Sequence, residues 1–191
     1  DQGIVALSYV FTLKPTQTWD NPFATDRHQA TVMSSNGMRL SWDQVAGSGL
    51  NAAYTYRNID IEHERSPQGL DRNGGLHRFD FNWDIKMGAG QLLTPGISYT
   101  DAKLDGYAAR YQSAALSLGY ALKGPQWSLV ANGYLGQRKY AHDNPLYGKR
   151  ADANEFGVNG TFFWHRLLRI DALTGFVSAG YSRSDADTAF Y

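Results

Sequence analysis

From residue 76 to residue 87 the side chains alternate without interruption. Phe79, Phe81, Trp83, Ile85 and Met87 fall on one side, and Arg78, Asp80, Asn82, Asp84 and Lys86 on the other. Successive side chains of an extended chain point to opposite faces, so this segment has one apolar and one charged face. The same pattern runs through Val5, Leu7, Tyr9 and Phe11, through Met38, Leu40 and Trp42, through Ala114, Leu116, Leu118 and Tyr120, and through Phe156, Val158, Phe162 and Trp164. It predicts nine strands, at residues 3–13, 31–42, 50–61, 76–87, 92–100, 113–122, 127–140, 154–165 and 172–184. Two are weaker: residues 31–36 are polar on both faces, and Pro95 removes a ladder hydrogen bond from the fifth. Repeated alternation in segments of about ten residues is the pattern of an antiparallel up-and-down transmembrane β-barrel, with lipid outside and water inside.

The connections keep a second rhythm. Residues 14–30, 63–75, 101–112 and 141–153 are long and polar, whereas 43–49, 88–91, 123–126 and 166–171 are short. Outer-membrane barrels have long extracellular loops and short periplasmic turns, which predicts that odd segments run outward and even ones back. An odd count then leaves the last segment in an outer loop. A spanning sheet must close, because an open edge in lipid leaves backbone groups unpaired, and single-chain bacterial barrels have even strand numbers. The expectation is therefore a barrel of ten to twelve strands with nine represented, forming a single domain over residues 1–191 that is incomplete at one or both ends.

Composition narrows the function classes. Eighteen Lys plus Arg balance eighteen Asp plus Glu, so the basic surplus of a nucleic-acid binder is missing. Cysteine is absent, which excludes disulfides and thiolate metal sites. No apolar run reaches the length of a transmembrane helix. A mean hydropathy below zero is uninformative for a barrel, since half of each strand faces water. Twelve Tyr and five Trp suit a membrane interface, where one end of the side chain is apolar and the other wet.

Several stretches carry a resemblance. They are Trp19-Asp20-Asn21-Pro22-Phe23 with Asp26-Arg27, Arg39-Leu40-Ser41-Trp42-Asp43 with Gly47-Ser48-Gly49-Leu50, and the run from Tyr56-Arg57-Asn58 to Glu64-Arg65-Ser66. Leu70-Asp71-Arg72-Asn73-Gly74, Leu93-Thr94-Pro95 and Asn144-Pro145-Leu146-Tyr147-Gly148-Lys149-Arg150 follow in order. Together they resemble a family of uncharacterised Gram-negative outer-membrane barrels that is defined as a domain of unknown function. The resemblance implies an outer-membrane location, a barrel fold and a complete length greater than this chain. It also implies a closing strand that ends in an aromatic residue, and Tyr191 does not follow such a strand. The loop around Asn144 is similar, more weakly, to barrels of surface-lipoprotein assembly modifiers, whose helical-repeat domain is not present.

The candidate site is the polar face. Parity puts Arg39, Arg57, Arg78, Asp80, Asp84 and Lys86 on one side of neighbouring strands, joined by Arg138 and Glu155. These residues are expected to line a pore, screening solutes by size and sign as rings of charge do. Alternatively they pair across a narrow lumen and fill it. Trp19 and Phe23, in the first long connection, are expected loop contacts for a ligand or partner.

Other chemistry is less supported. The histidines His28, His63, His77, His142 and His165 sit in or beside connections, and His142 near Ser113 or Asp143 lacks a nucleophile motif. Asp60, Glu62, Glu64 and Asp71 suggest a hard-cation site, but Arg65 and Arg72 offer salt bridges instead and calcium-loop spacing is missing. No catalytic residue, cofactor or metal is expected.

The leading expectation is a passive, porin-like channel for small hydrophilic solutes in the outer membrane of a Gram-negative bacterium. Its partners would be outer-membrane lipid and such solutes or another envelope protein, with no nucleic acid. The alternative is a non-conducting surface protein whose long loops bind a partner. A soluble lipocalin-like barrel is the fold-level rival, with Phe79, Phe81 and Trp83 turned inward.

Overall fold

Each alternating segment pairs with the next one along the chain, so the pattern is realised as an antiparallel meander. The structure is a computed structural model and describes residues 3–12, 18–19, 28–29, 33–45, 48–61, 69–166 and 173–186. The main sheet runs through β1 (Ile4–Thr12), β4 (Met33–Asp43), β5 (Leu50–Ile61), β6 (Gly74–Trp83), β8 (Gln91–Leu104), β9 (Tyr111–Lys123), β10 (Trp127–Tyr140), β11 (Ala153–His165) and β12 (Thr174–Ala186). A short β7 (Ile85–Gly88) also pairs with β8, making ten strands in all. A ribbon of β2 (Thr18–Trp19) and β3 (His28–Gln29) lies within the first long connection. Among the described residues β1 and β12 do not pair, and the sheet is open. Its two edge strands run in the same direction, as the first and ninth of an alternating path must.

All nine predicted segments are strands, with two differences. The fourth is interrupted at Asp84, which separates β6 from β7. The interruption falls opposite Thr94 and Pro95: the ladder to β8 stops at Asn82↔Gly96 and resumes at Ile85↔Leu93. Proline has no N–H to donate, so the ladder loses little by breaking there. The second difference is the connection predicted at 101–112. It shrinks because β8 runs on to Leu104 and β9 starts at Tyr111, with a single 3-10 turn, Tyr107–Ala109, between them.

The sheet is one layer thick, and its two faces differ in character, except where Phe163 and Phe176 meet on the polar-face parity near the short connections. One face carries Leu7, Leu40, Tyr54, Phe79, Tyr99, Leu116, Leu135, Val158 and Val177, several of them mostly exposed, with Leu7 and Val177 at 72%. The opposite face carries Arg39, Thr55, Arg78, Asp80, Arg138 and Glu155 among small residues such as Gly96, Ser98, Ala115, Ser117 and Gly136. This polar face is concave, since one hollow is lined jointly by residues of β6, β8, β9, β10 and β11. Burial is confined to small groups, and no large side chain among the described residues is fully enclosed. The one packed cluster, Ala102, Leu104 and Ala109 with Tyr111, sits under the 3-10 turn at the long-connection end of the polar face.

Glycine at two positions permits close approach. Gly90 turns the β7–β8 hairpin at φ +73°, where an L side chain is strained. A Cβ on Gly37 would collide with the Tyr56 carbonyl oxygen, so only glycine lets β4 approach β5 there.

Candidate functional site

Strand parity decides which side chains share a face, and register decides which of them meet. On β4, β5 and β6 the pairs Arg39↔Thr55 and Thr55↔Arg78, together with Gly37↔Arg57 and Ala53↔Asp80, bring three arginines and one aspartate onto a single patch. Arg78 Nε donates to Asp80 Oδ1 at 2.8 Å. Arg39 reaches over β5 to Asp80 Oδ2 at 3.7 Å and donates to Thr55 Oγ1 at 3.1 Å. The Asp80 side chain is only 14% exposed, against 42% for Arg39 and 52% for Arg78. Arg57 is exposed beside them, with no ion-pair partner among the described residues. These residues line a hollow of about 530 Å³.

A second hollow of about 550 Å³ continues the first across β6 to β11, and Arg78 and Asp80 border both. At its far wall Arg138 Nη2 meets Glu155 Oε1 at 2.7 Å, and the Arg138 guanidinium stacks on the Tyr111 ring with its carbon 5.0 Å from the centroid. Here two guanidiniums face two carboxylates, whereas the first hollow has three guanidiniums to one carboxylate. Of the two hollows, the one at β4 to β6 therefore carries the excess of guanidinium over carboxylate.

Of the eight residues expected on this face, six form these two clusters. Asp84 and Lys86 do not join them. The Asp84 carboxylate accepts from Asn51 Nδ2 at 3.0 Å and from Thr94 Oγ1 at 2.9 Å, and its N–H donates to the Gly49 carbonyl at 2.9 Å. It thereby bridges the gap between β6 and β7 and ties β5 to β8, a structural task. Lys86 is exposed on β7 near the short-connection end. Tyr111, expected in a loop, is a site residue that the sequence reading missed. Its signal was its place two residues before Ser113 on the polar-face parity.

The remaining candidates separate in space. Trp19 lies in β2 by its backbone, while its side chain and all of Phe23 lie outside the described residues, as do Glu62, Glu64, Arg65 and His63. Asp71 Oδ1 accepts from the Asn73 N–H at 2.9 Å. Among the described residues no three His, Asp or Glu side chains gather as a metal site would require. His77 Nδ1 is 2.7 Å from Tyr54 Oη, and His142 packs edge-on against Tyr107. His165 Nε2 is 3.0 Å from Ser128 Oγ at the short-connection end. Among the described residues no carboxylate orients that imidazole, so nucleophile and base meet without the third group that would activate them.

The apolar face ends in ordered borders. Trp42, Trp83, Trp127 and Trp164 all stand on it near the short connections, and Trp83 Nε1 donates to the Ser48 carbonyl at 3.0 Å. Toward the long connections the face turns polar, through Asn36, Asn58, His77, Asp101, Gln112, Gln137 and Asn154. At that level the parity of the pattern inverts, and the apolar Ala102 and Leu104 now point to the concave side.

A comparison with curated proteins finds no match. Residues 1–191 match the family model described as Protein of unknown function (DUF2860), and the chain belongs to that family.

Proposed function

We propose that this chain is the membrane-spanning wall of a Gram-negative outer-membrane β-barrel of ten to twelve strands, and that it conducts small hydrophilic solutes passively. The observation that carries the reading is the partition of the one-layer sheet: an apolar face continuous over nine strands, backed by a concave polar one. A soluble single layer would leave that apolar face in water, whereas monomers seldom expose apolar patches above a few hundred Å².

The geometry of the apolar band supports the same reading. On β10 it runs from Trp127 to Leu135, which at about 3.4 Å per residue is about 27 Å of strand. The hydrogen-bonded rows also cross the band obliquely. One row starts at Leu7 and passes through Leu40, Tyr54, Phe79, Tyr99, Ala114, Gln137 and Asn154 to Asp185, so it begins mid-band and ends in the polar border. By β12 the band centre lies about eight residues from where the row would put it. With strands about 4.8 Å apart, that drift corresponds to a tilt of about 35°, within the range for membrane barrels. A tilt of 35° brings the 27 Å of strand to about 22 Å along the normal, close to the height of an outer-membrane apolar band.

Antiparallel closure between β12 and β1, which run the same way, takes at least one further strand. Planar-bilayer recording of the purified full-length protein tests the function. Discrete conductance steps are expected, and their absence would overturn the channel.

One observation favours a second reading, a surface protein whose loops bind a partner. Described parts of three long connections are tied together: Ala108 N–H donates to the Gly69 carbonyl at 2.8 Å, Gly106 N–H to Asp71 O at 2.9 Å, and Ala141 N–H to Arg110 O at 2.9 Å. An ordered platform of this kind suits recognition, and partner binding by a protein without conductance would select it.

A further inference from the structure

We infer that the arginines of β4, β5 and β6 form a binding site for small oxyanions, solutes bearing carboxylate or phosphate groups, and that this site gives the channel an anion preference. The preference rests on the channel reading; the binding site does not. Three guanidiniums, Arg39, Arg57 and Arg78, border one hollow in which Asp80 is the sole carboxylate. Asp80 is already engaged by Arg78 at 2.8 Å and by Arg39 at 3.7 Å, and it is the least exposed of the three. Its charge is thus covered, while among the described residues the remaining N–H groups of both arginines and the whole of Arg57 stay available. Guanidinium forks match planar carboxylate and phosphate oxygens two at a time, and water-filled recesses with low-dielectric walls strengthen the attraction.

The contrast with the other wall makes the inference specific. Arg138 spends its charge on Glu155 at 2.7 Å and its face on Tyr111, leaving no surplus for a solute. An anion entering the two hollows therefore meets an excess of guanidinium over carboxylate only in the one at β4 to β6. Asp80 acts there as a positioning residue, holding Arg39 and Arg78 at the hollow's edge.

Reversal potentials in a KCl gradient across a planar bilayer test the preference, with wild type compared with Arg57→Gln and Asp80→Asn. Wild type is expected to favour chloride about threefold. Arg57→Gln, which breaks no ion pair, should bring the ratio near one, and Asp80→Asn should raise it. A conducting protein with no anion preference, or with a preference unmoved by Arg57→Gln, overturns the inference and leaves the channel standing. An absence of conductance overturns the channel instead, and calorimetric titration of inorganic phosphate into the detergent-solubilised protein then decides the site. Binding in the millimolar range, weakened roughly fivefold by Arg57→Gln, is expected; no phosphate heat from wild type would overturn the site.

Discussion

Leu118→Arg gives the sharpest test of whether the apolar face meets lipid. Leu118 is 51% exposed on the apolar face, between Pro95 and Gly133, midway between Ala114 and Leu122 on β9. An arginine at the midplane of an outer-membrane barrel's lipid face costs about 2–4 kcal/mol, falling to about 0–1 near the interface. At about 1.4 kcal/mol per decade, the midplane cost lowers the folding equilibrium roughly 30- to 700-fold. Its chain neighbour Ser117 points to the concave face, where Ser117→Arg should stay within about 0.5 kcal/mol. Leu122→Arg, at the tryptophan border, should fall at the low end of the lipid scale. Equilibrium urea unfolding from phospholipid vesicles, followed by tryptophan fluorescence, measures all three. A water-exposed sheet predicts small effects everywhere, and a lipocalin-like core predicts a cost without depth dependence. The reasoning fails if Leu118→Arg costs no more than Ser117→Arg, or if Leu122→Arg costs as much as Leu118→Arg.

Three further outcomes follow from particular contacts. Asp84→Ala removes two side-chain hydrogen bonds across the β6–β7 gap; it should destabilise by about 1–3 kcal/mol in the same unfolding assay, with faster amide exchange on β7. Gly37→Ala would drive a methyl into the Tyr56 carbonyl; a cost of about 1–3 kcal/mol is expected from forcing β4 off β5, and a neutral result would refute the close approach. Trp42, Trp83, Trp127 and Trp164 share one border of the apolar face. In a Trp19→Phe background, lipids brominated near the headgroup should therefore quench fluorescence more than lipids brominated near the chain end.

Alternation made the strands and their faces legible because its two-residue period is the period of the strand itself. What it could not show was register, and register makes the site. Arg39, Arg57, Arg78 and Asp80 share a side by parity alone, but that Asp80 lies within reach of two arginines depends on the pairs Arg39↔Thr55 and Ala53↔Asp80. The break at Asp84 was hidden because Trp83, Ile85 and Met87 continue the apolar pattern across it. Its cause lies on another strand, at Pro95, where the partner donor is missing. Residues 101–104 were read as loop for a related reason. Asp101 and Lys103 occupy the parity that is apolar lower down, because the strand has passed out of the apolar band and the environment of each face has changed. A pattern that assumes one apolar face from end to end assigns such residues to a turn.

In the proposed barrel, the width of the lumen would follow from the tilt and the small residues together. For ten to twelve strands about 4.8 Å apart and tilted about 35°, the backbone cylinder has a radius of about 9 to 11 Å, a size at which large inward side chains would fill it. The inward residues are not evenly large. Arginines crowd β4 to β6, whereas Ser98, Ala115, Ser117, Gly119, Gly136 and Gly157 make low stretches of β8 to β11, from which Tyr111, Tyr134 and Phe163 rise. In the proposed barrel, open space would lie off-centre, between the arginines and those low stretches. Charge pairing such as Arg138 with Glu155 narrows it without bridging it. Ser117→Trp would raise the concave face beside Tyr134, in the hollow that Arg78 also borders. Because the indole faces water on that side, the protein should fold with a cost of about 1 kcal/mol or less. Single-channel conductance should nevertheless fall by about half or more, as a pore of this size leaves little room around an added ring. Leu118→Trp, one residue away on the apolar face, should leave conductance unchanged. Equal conductance in both variants and wild type would mean that ions do not pass along the concave face, and would remove the channel from this fold.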